Sequence, residues 1–213
     1  MDEFDWQFDI LGYNNIMKVF MKFGFLIILV VVGYFIWSTR AVAGLEEPKY
    51  EEIHREGRFE IRKYAPVHIA QTTVQGSYSE SLRTGFRRIA NYIFGGNVQN
   101  QSIAMTAPVV STMPNSGPVD IFFVLPSEYN LQTLPKPNVS NVVLQKEDWQ
   151  DVAIYRFGGW ATEERIQAIQ KKMQEILDEK GFEAIGEWRV AQYNPPYTPP
   201  PFRRNELMVQ IKR

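Results

Sequence analysis

Apolar and polar positions change their rhythm several times along this chain, and each change marks a different kind of element. Phe23–Trp37 carries no charge and is rich in β-branched and aromatic side chains. A helix with no polar face must be buried all round or lie in lipid. Extended back through Val19 and Phe20, the run approaches the roughly 20 residues that cross a bilayer. Tyr34 and Trp37 suit the interface, and Lys22 can snorkel from it. The pattern predicts an N-terminal tail over residues 1–18, one transmembrane helix or signal anchor over 19–39, and a linker over 40–48. A cleaved signal peptide is the competing reading, because Ala41–Val42–Ala43 has the small-x-small form of a cleavage site. Asp2, Glu3, Asp5 and Asp9 ahead of the apolar run argue against cleavage. Lys18 and Lys22 before the run, against Arg40 after it, lean towards an inside N-terminus and an extracytoplasmic domain on a single-pass membrane protein.

From residue 49 the rhythm becomes that of a folded domain. Alternation predicts strands over Tyr50–Arg55, Arg58–Tyr64 and Val67–Gln75. Leu82, Phe86, Ile89 and Ile93 then recur at helical spacing, between a Ser77/Glu80 capping box and a Gly95–Gly96 stop. Ser102–Val110 and Val119–Pro126 read as strands, the second apolar on both faces and therefore central. A Pro- and Asn-rich connection follows, and the scheme restarts. Trp149–Gly159 is a strand, and Ala161–Gly181 is a helix with a Thr162 cap, early Glu163 and Glu164, and a Lys180–Gly181 end. Phe182–Tyr193 and Asn205–Arg213 close the chain as strands. Two rounds of β-β-helix-β-β imply two similar halves, each laying a helix over antiparallel sheet. A ligand cleft is expected between the apolar helix faces, near a pseudo-twofold axis. Within Phe59–Tyr64, alternation sets Phe59, Ile61 and Lys63 on one face and Glu60, Arg62 and Tyr64 on the other, which leaves a lysine on the oily side.

Composition narrows the chemistry. With 213 residues, 45% hydrophobic and 22% charged, there is ample material for a core. A net charge of −1 denies the basic field of a nucleic-acid binder, so no nucleic-acid partner is expected. The absence of cysteine excludes disulfides, thiolate metal sites, a cysteine nucleophile and thioether-linked cofactors. His54 and His68 lack motif context, and there is no H-E-x-x-H, nucleophile elbow or phosphate loop. Neither catalytic nor metal residues are therefore assigned. Asn194–Glu206 holds five prolines and must be a stiff loop. Arg203, Arg204 and Glu206 beside it read as a clamp, with a basic rim for ligand carboxylates as the alternative. Met105, ahead of Pro108, reads as core filler rather than a soft axial ligand.

Several segments together resemble the SOUL haem-binding protein family: "YEEIHREGRFEIRKYAPVHIAQTTVQG", "GFRRIANYIFGGN", "IAMTAPV", "LPSEYNLQTLPKPN" and "YNPPYTPPPFRRNELMV". The domain they define runs over 49–213. The resemblance implies an α+β fold, a distorted antiparallel β-barrel of two pseudo-repeats with two flanking helices. It implies non-catalytic, non-covalent binding of haem or a related tetrapyrrole through an apolar surface beside the first helix. Carried over by position, that surface comprises Arg83, Phe86, Ile89 and Ala90, with Arg83 and Arg87 meeting the propionates. Lys63 stands where some relatives carry a histidine. A lysine is mostly protonated at neutral pH and a poor iron ligand, so a propionate contact or snorkelling suits it better. The expected partners are thus a tetrapyrrole and, through residues 19–39, the lipid bilayer. Two other readings compete: a membrane-associated scaffold without haem affinity, and a small-molecule hydrolase on the same fold using Glu128 or Glu206.

Overall fold

The computed structural model describes residues 17–30, 33–34, 44–113 and 117–212. Residues 17–30 are helical, and part of the span expected over 19–39 lies outside the described residues. Among those that are described, no helix is long and apolar enough to cross a membrane, so the expected transmembrane helix is not established. A compact unit, Gly44–Arg213, holds everything else. It starts earlier than the pattern suggests: Glu46 pairs with Thr106, and its carbonyl accepts from the Ala107 amide.

The elements run β1 (Tyr50–Glu56), β2 (Phe59–Tyr64), β3 (Val67–Val74), α1 (Tyr78–Ile93), β4 (Val109–Thr112), β5 (Val119–Val124), β6 (Val143–Glu147), β7 (Asp151–Phe157), α2 (Glu163–Lys180), β8 (Glu183–Gln192) and β9 (Asn205–Lys212). All nine strands join one antiparallel sheet in the order β1-β2-β7-β9-β8-β4-β5-β3-β6. With β1 set aside, exchanging β2 with β6, β3 with β7, β4 with β8 and β5 with β9 maps this order onto its own reverse. The pseudo-twofold axis therefore passes between β4 and β8, where Val110 faces Ala191. β6 supplies the first strand of the second half, a strand the sequence pattern did not reveal.

The sheet is open, which corrects the expected barrel. Its edges, β1 and β6, do not pair with each other. β1 is exposed along its whole length and carries Glu51, Glu52, Arg55 and Glu56, while β6 ends in Lys146 and Glu147. Charged edges of this kind end a ladder and repel further strands. The sheet nevertheless curls strongly. The Trp149 ring meets Tyr64 on β2 edge-on, with centroids 5.2 Å apart, and lies 6.3 Å from the tilted Phe122 ring on β5, although those strands lie five places apart in the order. Both faces are consequently buried. One, with Phe59, Ile61, Ile121, Phe123 and Leu207, lies under the helices; the other, with Tyr64, Phe122, Val152, Ile154 and Met208, fills the inside of the curl.

Each helix has its own reason to stop and to sit. α1 packs on β3 and β5, and Gly85 lets it come close: a Cβ there would stand 2.6 Å from Ile121 Cδ1. α2 packs on β8 and β9. The Thr162 hydroxyl accepts from the Arg165 amide at its start, and Gly181 takes the left-handed conformation (φ 73°) at its end, which costs glycine little. The Ser77/Glu80 box forms only in part: Ser77 Oγ donates to Glu80 but caps no amide of α1.

Candidate functional site

The two helices begin on opposite sides of an open cleft of about 730 Å³ near the pseudo-twofold axis. α1 contributes Tyr78, Ser79 and Leu82. The start of α2 contributes Trp160, Thr162 and Glu163. The proline-rich loop closes one end with Asn194, Pro196 and Arg203. This volume falls in the range of small-molecule sites, as does an apolar wall with a few polar groups. The cleft is where two alike halves leave unfilled space between helices that each cover only their own strands.

Its chemistry is that of a binding surface. Arg203 lies over the Trp160 ring with its central carbon 3.7 Å from the centroid. It also donates to the carbonyls of Thr198, at 2.8 Å, and of Pro196, which pins the stiff loop. Burial pulls its pKa below the ordinary arginine value, yet a guanidinium remains charged at neutral pH. Tyr78 Oη and Ser111 Oγ are 2.9 Å apart, and burial, opposed by that hydrogen bond, pushes the phenol up to about 12. Tyr78 is thus a neutral polar group in the cleft wall. Among the described residues, no histidine, cysteine or methionine lines the cleft. His54 lies on β1, and His68 borders a separate cavity of about 170 Å³ beside Glu46 and Lys49. Beside its apolar wall the cleft offers an acidic ligand one arginine, set against the carboxylates of Glu163 and Glu164, and a bound metal would find no histidine, cysteine or methionine among the described lining residues.

The residues picked out by sequence do not all meet here. Arg83 is exposed one turn beyond Ser79, and Arg87 one turn further; neither engages a carboxylate among the described residues. Phe86 is half-buried, 5.4 Å from the Phe123 ring, and belongs partly to the core. Ala90 is nearly buried and Ile89 completely so, which leaves Ile89 no surface for a ligand. Lys63 is exposed on the helix-bearing face of β2, as alternation predicts. It does not line the cleft.

A second polar centre was not visible in the sequence. Glu60, Arg62 and Tyr64, assigned only to the opposite face of β2, point into the curl and are buried there. Arg62 donates to both oxygens of Glu206 (2.9 and 3.0 Å), to Glu60 and to Tyr64 Oη. Tyr193 Oη donates to Glu206 at 2.7 Å, and Arg204 bridges Glu206 and Glu47. Burial raises the Glu206 pKa, but the hydrogen bonds and charges of Arg62 and Arg204 outweigh it and hold the carboxyl below its usual range. Burial likewise raises Tyr193 and Tyr64 well above an ordinary phenol. Glu206 is therefore saturated with donors and does not line the cleft. Glu128 is exposed on the loop after β5 and does not line it either. The only sequence signal was the run of charge in "RRNE", which pointed to a clamp but not to its buried partner on β2.

Comparison with known proteins agrees with this architecture. The C-terminal domain of EcmrR superposes with a TM-score of 0.56 at 10% identity, covering 77% of this chain and 98% of that one. A hydrolase from Listeria innocua gives 0.54 at 8%, covering 75% and 94%. At such identities the likeness is one of fold alone. Among curated relatives, "Heme-binding protein 2" of Homo sapiens is 32% identical over 132 residues, and "Heme-binding protein 1" of Xenopus laevis is 29% identical over 161. The alignment covers 59% of this chain and 64% of the human protein, against 70% and 81% for the frog protein. The SOUL heme-binding protein family matches residues 45–210, nearly the whole compact unit, and the chain therefore belongs to that family.

Proposed function

We propose that this protein binds haem or a related tetrapyrrole, non-covalently and without catalysis, in the cleft between α1 and α2. The observation that carries the reading is the cleft itself: about 730 Å³ of open space with Leu82 and Trp160 in its walls and Arg203 at one end. The names of the family and of the human and frog relatives support the ligand class. A bound haem would supply an iron centre. This chain's part is to stack Leu82 and Trp160 against the ring, to meet its acidic groups with Arg203 and Arg83, and to exclude water from one face. Because the described residues of the cleft include no histidine, cysteine or methionine, the ring and not the metal carries the affinity in this reading. Metal-free protoporphyrin should then bind about as well as hemin.

Titrating hemin into the purified full chain tests this. The expected result is a saturable Soret shift that Ser79→Trp abolishes, because a bulky ring at this exposed wall position fills the cleft without entering the core. An unsaturable shift, or a shift left intact in Ser79→Trp with an unchanged unfolding midpoint, would remove the reading. We further propose that the charge-free run Phe23–Trp37 tethers the protein to a membrane, with the haem-binding unit on the extracytoplasmic side. Support for this is the sequence pattern alone. Release of the full chain from membranes by alkaline carbonate would refute it.

A further inference from the structure

Phe94 and Val98, at 61% and 60%, are the most exposed large apolar residues described in the compact unit. Isolated surface hydrophobes are ordinary, but these two sit together on one tip. Phe94 caps α1 and pairs with Ser102, which folds the segment between them into a hairpin-like turn. The Val98 amide donates to the Lys136 carbonyl at 3.0 Å, and the Asn138 amide donates to the Gly96 carbonyl at 3.1 Å. This lashes the tip to the 136–139 strip, where Val139 is also exposed.

The charges of the surrounding segment are mostly basic. Spacings of four and eleven residues return to within about 40° on a helix, so Arg83, Arg87 and Phe94 share one exposed stripe of α1. From Leu82 to Gln145 the basic residues are Arg83, Arg87, Arg88 and Lys136, and the acids are Asp120 and Glu128 alone. Asp120 accepts from Thr73 on the sheet, and Arg88 donates to Thr72 and Thr73, so both are occupied. Arg83, Arg87 and Lys136 remain against Glu128 alone, on a chain whose net charge is −1. Neither the cleft nor the cavity beside His68 is lined by Phe94, Val98 or Lys136, so the tip is separate from both. Exposed apolar side chains beside cations are what the headgroup layer of an anionic membrane receives.

We propose that the Phe94–Val98 tip, with Arg87 and Lys136 beside it, docks this domain on an anionic lipid surface. The proposal goes beyond tetrapyrrole binding and does not depend on it. Since the chain has no cysteine, Val98→Cys can carry a single environment-sensitive fluorophore in the full chain. A second label at Glu187→Cys, exposed on β8, serves as the distant control. With phosphatidylserine-rich vesicles, the label at 98 should shift to the blue and brighten severalfold. Pure phosphatidylcholine vesicles should leave it unchanged, and high salt should reverse the response. Lys136→Glu should weaken partitioning at least about fivefold, the worth of one basic residue near an anionic surface. The label reads position 98 whatever residues 19–39 do. No response to phosphatidylserine, an equal response to phosphatidylcholine, or an equal response from position 187 would overturn the proposal. So would a response to poly-glutamate but not to vesicles, which would assign the tip to an acidic protein.

Discussion

Replacing Arg62 by methionine probes the buried centre with a defined sign. The substitution keeps length and apolar volume but removes the cation that serves Glu206 at 2.9 and 3.0 Å and Glu60 at 2.7 Å. Both carboxylates are buried and would be left with their outer partners, Arg55 and Arg156 at Glu60 and Arg156 and Arg204 at Glu206. Breaking a buried ion pair by removing one member costs about 3–5 kcal/mol. In a unit of this size that lowers the midpoint by about 6–20 °C. Arg156, whose side chain is 36% exposed, reaches the same two acids at 3.3 and 3.5 Å. Its loss should cost under about 1 kcal/mol, since solvent already screens it. The pH dependence separates this account from simple loss of packing. In the parent protein Glu206 has a lowered pKa, so its contribution is complete above the unfolded value near about 4.3 and disappears as pH falls through the folded value. Without Arg62, burial dominates and the folded pKa should rise above that figure. Acidification then neutralises the carboxyl, and the penalty shrinks between neutral pH and about 5. Urea unfolding followed by tryptophan fluorescence, with the buried Trp149 as a reporter, measures both quantities. A penalty below about 1 kcal/mol at pH 7, or one that stays constant with pH, would refute the reasoning.

Three further outcomes are expected. Gly85→Ala gains about 1 kcal/mol of helix propensity but sets a Cβ 2.6 Å from Ile121 Cδ1, so denaturation should show a net loss of about 1–2 kcal/mol, partly recovered by Ile121→Val. Trp160→Ala removes the ring under Arg203 at the cleft wall; hemin titration should show about tenfold weaker binding (about 1.4 kcal/mol), with unfolding stability changed by less than 1 kcal/mol in order of magnitude. Tyr78, pushed up to about 12 by burial, contributes stability that is complete below its ordinary value of about 10 and is lost as pH rises towards 12. Thermal midpoints should therefore fall more steeply between those values in the parent than in Tyr78→Phe.

Periodicity made most of the scaffold legible. Both helices, the repeat of β-β-helix-β-β and a cleft between the helices follow from spacing that local sequence enforces. β6 escaped because five residues of mixed polarity after a Pro- and Asn-rich loop carry no alternation strong enough to stand out; their pairing with β3 defines them. The strand expected over Ser102–Val110 contracts to Val109–Thr112, after a cis Ala107–Pro108 bond that no local pattern signals. The barrel failed for a non-local reason as well, since only the charged edges of β1 and β6 decide whether the sheet meets itself. Alternation divided β2 correctly into two faces but could not say that the polar one turns inward. That depends on Glu206, 144 residues away. At α1 the apolar stripe was readable, but its division into ligand surface and core was not. Ile89 and Phe86 share the stripe, and the depth of helix seating set by Gly85 and Ile121 determines what remains outside.

The reversible strand order also says how the molecule comes apart. The seams β2–β7, β4–β8 and β3–β6 each join a strand of one half to a strand of the other. The halves are interlaced like the fingers of two hands and do not stand side by side. Neither can let go without unzipping three ladders at once. A chain nicked in the long loop between β5 and β6 should stay assembled as two fragments, and neither fragment should keep its shape alone.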